Sequence, residues 1–217
     1  MKKKYLLWYL SFVLLFSCKT KVEIIEPDRT YIPKHSNFDA SKVNNNDANI
    51  FYFIRHAEEK NDDGENPHLS EKGLKKVDLY TKYFTDKKVD TIYSTNLNRT
   101  FETAEIIAKK KVVGVGFYDP LILDYKKFFE NNKNNSIVVV GHANTIPNFI
   151  NKILGDQKYS QIMQDNYSDI FRLVIVKGKV VFDEILTIEN EIQKIEDAKL
   201  SPKELKKVLK ERRKAKK

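Results

Sequence analysis

Ile50-Phe51-Tyr52-Phe53-Ile54 is an unbroken apolar run that stops abruptly at Arg55-His56, with Glu58 two residues further on. A run this short, rich in aromatic and β-branched residues, reads as a strand buried on both faces. A buried strand can end in Arg-His only where those side chains meet something polar. In open α/β sheets that place is the crevice at the carboxyl ends of the strands, where ligands bind. The same design recurs downstream, where Ile137-Val138-Val139-Val140 runs into Gly141-His142. Two buried strands that each deliver a histidine at the C-terminal end constrain the fold more than any other feature of the chain.

The 217 residues carry a formal charge of +9, which invites a nucleic-acid reading until the charge is located. Lys2, Lys3 and Lys4 supply +3 within residues 1–17, and residues 199–217 supply +8. Removing both ends leaves −2 for residues 18–198. The basicity belongs to the termini, which removes the main argument for a nucleic-acid-binding domain.

Lys2–Lys4 precede a 12-residue apolar stretch, residues 5–16, interrupted only by Ser11. That length fits the h-region of a signal peptide and is short for a spanning helix. It closes on Leu15-Phe16-Ser17-Cys18, which resembles a bacterial lipobox, and Cys18 is the sole cysteine. The resemblance implies a signal peptide over 1–17 and a mature chain lipid-anchored through Cys18 in the cell envelope, outside the cytoplasm. Residues 18–47, with Pro27, Pro33, His35 and an Asn44-Asn45-Asn46 run, read as a polar tether.

From residue 48 the periodicity alternates. A strand over 49–55 is followed by a helix starting near Ser70, with Leu74, Val77, Tyr80, Thr81 and Phe84 at helical spacing. A strand over 90–94, a helix over 97–110, a strand over 112–117 and a short helix over 125–132 come next. The Ile137–Val140 strand, a helix over 147–154, and strands over 171–176 and 180–188 joined at Lys177-Gly178-Lys179 complete the pattern. This order predicts an α/β three-layer sandwich, a central and mostly parallel sheet flanked by helices, over residues 48–190. Residues 191–217 read as a basic, helical tail with a thin apolar face of Leu200, Leu205, Val208 and Leu209.

Arg55, His56, Arg99 and His142 form a coherent chemical set. A phosphate ester carries close to two negative charges near neutral pH, which arginine forks bind bidentately. A second histidine can donate to the same group, and helix N-termini after His142 and near Arg99 add free N–H groups. A neutral imidazole is a nucleophile, and His56 beside two arginines would stay neutral. Its other nitrogen then needs an acceptor, such as a backbone carbonyl, to fix the tautomer.

Four blocks carry a family resemblance: Arg55-His56-Ala57-Glu58; Pro67-His68-Leu69-Ser70-Glu71-Lys72-Gly73; Ser94-Thr95-Asn96-Leu97-Asn98-Arg99-Thr100, continuing to Thr103-Ala104; and Gly141-His142-Ala143-Asn144-Thr145-Ile146-Pro147. In this order they resemble the histidine phosphatase (phosphoglycerate mutase-like) superfamily, and Ala57, where many members have glycine, is similar to its short phosphatase branch. The resemblance implies a phosphomonoesterase that forms a phosphohistidine on His56, with Arg55, Arg99 and His142 binding the phosphoryl group. It implies neither metal nor cofactor. It places the leaving-group acid after the third strand, where Asp124 stands, with Glu58 and Asp119 as competitors. Asn144 is a substrate-binding or helix-capping candidate, and His68 a loop residue that could face substrate. A phospho-ligand-binding surface lipoprotein of the same fold, without turnover, is the other functional class these residues allow.

Overall fold

The computed structural model describes residues 48–215. The signal peptide, Cys18, His35 and the tether expected over 18–47 lie outside the described residues.

The elements run β1 (Ala48–Arg55), α1 (Glu71–Phe84), β2 (Thr91–Ser94), α2 (Asn98–Lys111), β3 (Val115–Phe117), α3 (Tyr125–Asn131), β4 (Ser136–Gly141), α4 (Thr145–Leu154), β5 (Asp169–Val176), β6 (Lys179–Thr187), α5 (Ile188–Asp197) and α6 (Pro202–Ala215). The six strands form one sheet in the order β3-β2-β4-β1-β5-β6. β3, β2, β4 and β1 pair parallel with one another in that order, and β5 pairs antiparallel with both β1 and β6. This is the α/β sandwich with a mostly parallel sheet that the alternating pattern predicts.

Both faces of the sheet are covered, which is why β1 is apolar without alternation. Successive strand side chains point to opposite faces. Tyr52 and Ile54, with Ile92, Val138 and Val140, pack on one side against Val77, Tyr80 and Phe84 of α1 and Ile107 of α2. Phe51 and Phe53, with Ile137 and Val139, pack on the other against Phe128 of α3 and Phe149 and Ile150 of α4. Edge-to-face pairs such as Phe53–Phe149, with ring centroids 5.1 Å apart, add to that layer.

The register between β1 and β4 places the site. Ile54 lies opposite Val140 and Arg55 opposite Gly141. The ladder extends one residue further, His56 N–H donating to the Gly141 carbonyl at 2.9 Å. His56 and His142 therefore emerge side by side. The chain runs outward from β1 to β2 and β3 and returns to insert β4 beside β1, so this edge is the crevice where strand order reverses.

Three boundaries differ from the sequence reading. Val112 caps α2 in the left-handed conformation (φ 56°) and is exposed, so β3 begins only at Val115. α4 starts at Thr145, two residues before its proline. α5 crosses residue 190, where the domain was expected to end. Ile188 and Ile192 at i, i+4 are buried in the α1-side core, which binds this helix to the sandwich despite its many charges. α6 buries no residue and is held to α5 by a two-pronged Arg212–Asp197 pair at 2.7 and 2.9 Å.

Candidate active site

His56 is only 3 % exposed. Its Nδ1 lies 2.8 Å from the carbonyl of Ala57. A carbonyl can only accept, so Nδ1 carries the proton and Nε2 the lone pair. The His56 ring stands 5.4 Å, centroid to centroid, from the His142 ring and 5.9 Å from the Tyr167 ring. His142 Nε2 is hydrogen-bonded to the Thr95 hydroxyl at 3.0 Å, itself in contact with Thr100 Oγ1 at 2.7 Å. Gly141, just before His142, has no room for a side chain: a Cβ there would lie 2.6 Å from the Tyr118 hydroxyl.

Arg55 is held by the loop before β5. Its Nη1 donates to the carbonyls of Met163, Gln164 and Asn166 at 3.2, 2.8 and 3.2 Å, and its Nη2 to the Tyr167 hydroxyl at 3.0 Å. The guanidinium also lies 3.9 Å from the Tyr167 ring centroid. Its Nε is buried without a hydrogen-bond partner. A buried unpartnered donor is costly, and here it belongs to a cation beside two histidines.

Arg99 sits in the first turn of α2. Thr103, a turn later, ties that helix to the histidine loop: its hydroxyl donates to the Arg99 carbonyl at 2.7 Å and accepts from Ala57 N–H at 3.0 Å. The Arg99 Nε lies 3.1 Å from Glu59 Oε2, and that same oxygen is 3.4 Å from His56 Nδ1.

The two adjacent glutamates divide their work through a short paired segment. Glu59 forms an isolated antiparallel bridge with Leu69. Ser70 N–H donates to the Glu58 carbonyl, and Lys60 N–H to the His68 carbonyl, each at 2.9 Å. Side chains alternate along extended backbone, so Glu58 turns to Lys72 at 3.3 Å while Glu59 turns to His56 and Arg99. Gly73 is required here because a Cβ would approach the Glu58 carbonyl oxygen to 2.1 Å. Ser70 caps α1 through Gly73 N–H, as its position suggests.

The structure thus brings together Arg55, His56, Arg99 and His142. Of the candidate acids, Glu58 lines the cavity beside that cluster. Asp124 is exposed and caps α3, its carboxylate accepting from Lys127 N–H at 3.0 Å. Asp119 accepts from Leu121 N–H at 2.9 Å. Among the described residues neither makes a hydrogen bond or ion pair with the histidine–arginine set, and Glu58 pairs with Lys72. Asn144 is exposed at the N-cap of α4, with no side-chain capping bond; His142 N–H is satisfied by Thr145 Oγ1 at 3.0 Å instead. His68 is bonded to Glu102 and points along the loop surface. Among the described residues no group of three or more His, Cys, Asp or Glu side chains is placed to hold a metal ion.

Glu59 and Tyr167 are the residues that sequence reasoning passed over. Glu59 looks like part of a charged loop, and only its pairing with Leu69 reveals its direction. Tyr167 lies in the unmatched loop before β5 and carries no signal of its own. Beside the cluster a cavity of about 790 Å³ is lined by Glu59, Lys60, Asp62, Lys72, Asp165 and Tyr167, among others.

Burial, with proximity to His142, Arg55 and Arg99 adding to it, lowers the His56 pKa to about 3 against the partial opposition of the Ala57 bond. Burial, then Arg99 and Arg55, lowers that of His142 to about 4. Both rings are neutral at physiological pH. Between these values and the ordinary 6.5 the unfolded chain binds more protons than the folded one, so stability rises with pH across that window. Urea unfolding is expected to show a lower midpoint at pH 5 than at pH 7, and a His142→Gln variant a smaller pH difference.

The histidine phosphatase superfamily (branch 1) model matches residues 51–121, a stretch holding Arg55, His56 and Arg99 but not His142. No curated protein matches the chain by sequence. Among solved structures the chain resembles the protein histidine phosphatase SixA complexed with tungstate, at 14% identity and TM-score 0.54, over 65% of this chain and 98% of that one. It also resembles the phosphoserine phosphatase of Entamoeba histolytica in complex with 3-phosphoglyceric acid, at 18% identity and TM-score 0.50, over 64% of this chain and 97% of that one. At such identities the likeness is one of fold.

Proposed function

We propose that this chain is a phosphomonoesterase of the histidine phosphatase type, working through a phosphohistidine on His56. One observation carries the reading. The Ala57 carbonyl holds the proton on His56 Nδ1, so a neutral ring presents its Nε2 lone pair within a cluster of two arginines and a second histidine. The family match over residues 51–121 supports the same class.

In the proposed reaction His56 Nε2 attacks phosphorus in line with the departing oxygen. Arg99 and Arg55, with its unpartnered Nε, balance the charge on the transferring group, and the neutral His142 ring stands beside them as a hydrogen-bonding group. Water then attacks the phosphoenzyme and returns the lone pair to Nε2. Since none of the candidate acids is bonded to the cluster, aryl phosphates, whose leaving oxygen is a weak base, are the suitable first substrates. The test is hydrolysis of p-nitrophenyl phosphate by purified residues 19–217 beside the His56→Ala variant. Equal rates would remove His56 from the nucleophile's role.

We also propose that the protein is anchored to a bacterial envelope membrane through lipid on Cys18. The support is the lipobox-like 15–18 segment following an apolar stretch of signal-peptide length. Among the described residues no helix is long and apolar enough to cross a membrane. Cys18→Ser is expected to move the protein from the membrane to the soluble fraction and abolish incorporation of a labelled fatty acid. Unchanged fractionation and labelling would contradict the anchor.

A further inference from the structure

We propose that Glu59 is a positioning residue for this reaction, its carboxylate balancing the positive charge that His56 acquires on phosphorylation while holding Arg99 in place. This role rests on the phosphohistidine reading above. The resting imidazole is neutral, so its 3.4 Å contact with Glu59 Oε2 is not an ion pair before substrate arrives. The charge appears in the reaction. As the Nε2 lone pair forms the N–P bond, the P–O bond breaks and its electron pair leaves with the departing oxygen, which takes a proton from water. The ring keeps its Nδ1 proton and becomes cationic. Hydrolysis reverses this: water forms the new P–O bond, the N–P pair returns to Nε2, and the water's proton passes to solvent.

The carboxylate stands on the side of the ring that bears the retained proton. The Ala57 carbonyl at 2.8 Å orients that N–H, but a carbonyl is only a dipole, whereas Glu59 supplies a full charge. A simple surface pair with Arg99 would not place the same oxygen against both groups. Glu59 Oε2 is buried, 3.1 Å from Arg99 Nε as well as 3.4 Å from His56 Nδ1. Its direction is set by the backbone bridge to Leu69, which supports it from a second segment of chain. Arg99 and Glu59 thus form an ion pair, and phosphorylated His56 completes a three-charge arrangement.

E59Q separates charge from shape, because the amide keeps the size of the side chain and removes its charge. The measurement is the pre-steady-state burst of p-nitrophenolate, which reports the rate of His56 phosphorylation, together with KM. The expected result for E59Q is a burst slower by about 30-fold with KM changed less than about 3-fold. A wild-type burst rate in E59Q, or a loss confined to KM, overturns the role while leaving the phosphatase reading intact. If E59Q fails to fold, E59D against E59N makes the same comparison on a shorter arm, and equal burst rates overturn it. A wild-type chain that forms no phosphohistidine removes the function, and the role of Glu59 with it.

Discussion

His56→Ala is expected to lower p-nitrophenyl phosphate hydrolysis by about 10³-fold or more, because no other side chain at the crevice offers an equivalent nucleophile. The fold should survive the change. His56 is buried, yet its backbone carries the structural link: its N–H extends the β1–β4 ladder to the Gly141 carbonyl. Alanine keeps that bond and removes a ring whose protonation opposes stability at acid pH. Circular dichroism and a melting temperature near that of wild type should accompany the lost activity. His142 cannot replace it, since its Nε2 is engaged by Thr95.

Arg55→Ala should have the second largest effect, and a different character. It removes a cation from the proposed phosphoryl site, expected to cost about 10²–10³-fold in kcat/KM. It also leaves the carbonyls of Met163, Gln164 and Asn166 and the Tyr167 hydroxyl without the donors that gather them. The loss of these charge-assisted bonds should destabilise the chain by about 2 kcal/mol or more. Arg55→Lys cannot repair this, because an ammonium lacks the planar fork that reaches several acceptors at once. Activity assays and urea unfolding of both variants check the pair of effects. An Arg55→Ala chain as stable as wild type would mean that the loop over 163–167 holds its shape without the arginine.

The contrast between these residues and Glu59 marks how far the sequence was readable. Arg55, His56 and His142 follow strands buried on both faces, and an unbroken apolar run announces such a strand without any long-range information. Once β1 and β4 are parallel neighbours, their ends must meet. Arg99 was legible through its place in the first turn of an amphipathic helix. Glu59 was not, because its direction depends on an isolated bridge to Leu69, ten residues away, and Glu58 beside it has the same chemistry with the opposite orientation. Tyr167 reaches Arg55 only through the path of the chain from α4 to β5. Helix α5 was hidden for another reason. Its charged composition resembles a solvated tail, while the Ile188–Ile192 spacing that buries it is only two residues wide. Asp124, the carboxylate expected after β3, is also the cap of a short helix, a local role that its place before Tyr125 makes legible.

The most direct test of the account is rapid acid-free quenching of the wild-type chain with p-nitrophenyl phosphate, followed by mass spectrometry of the peptide containing residue 56. An acid-labile phosphoryl group is expected on His56, forming with the nitrophenolate burst, decaying at the turnover rate and missing from His56→Ala. Turnover with no phosphoryl group on His56 would contradict the covalent mechanism. Tight binding of phosphorylated ligands without turnover or phosphohistidine would make this fold a phospho-ligand-binding module.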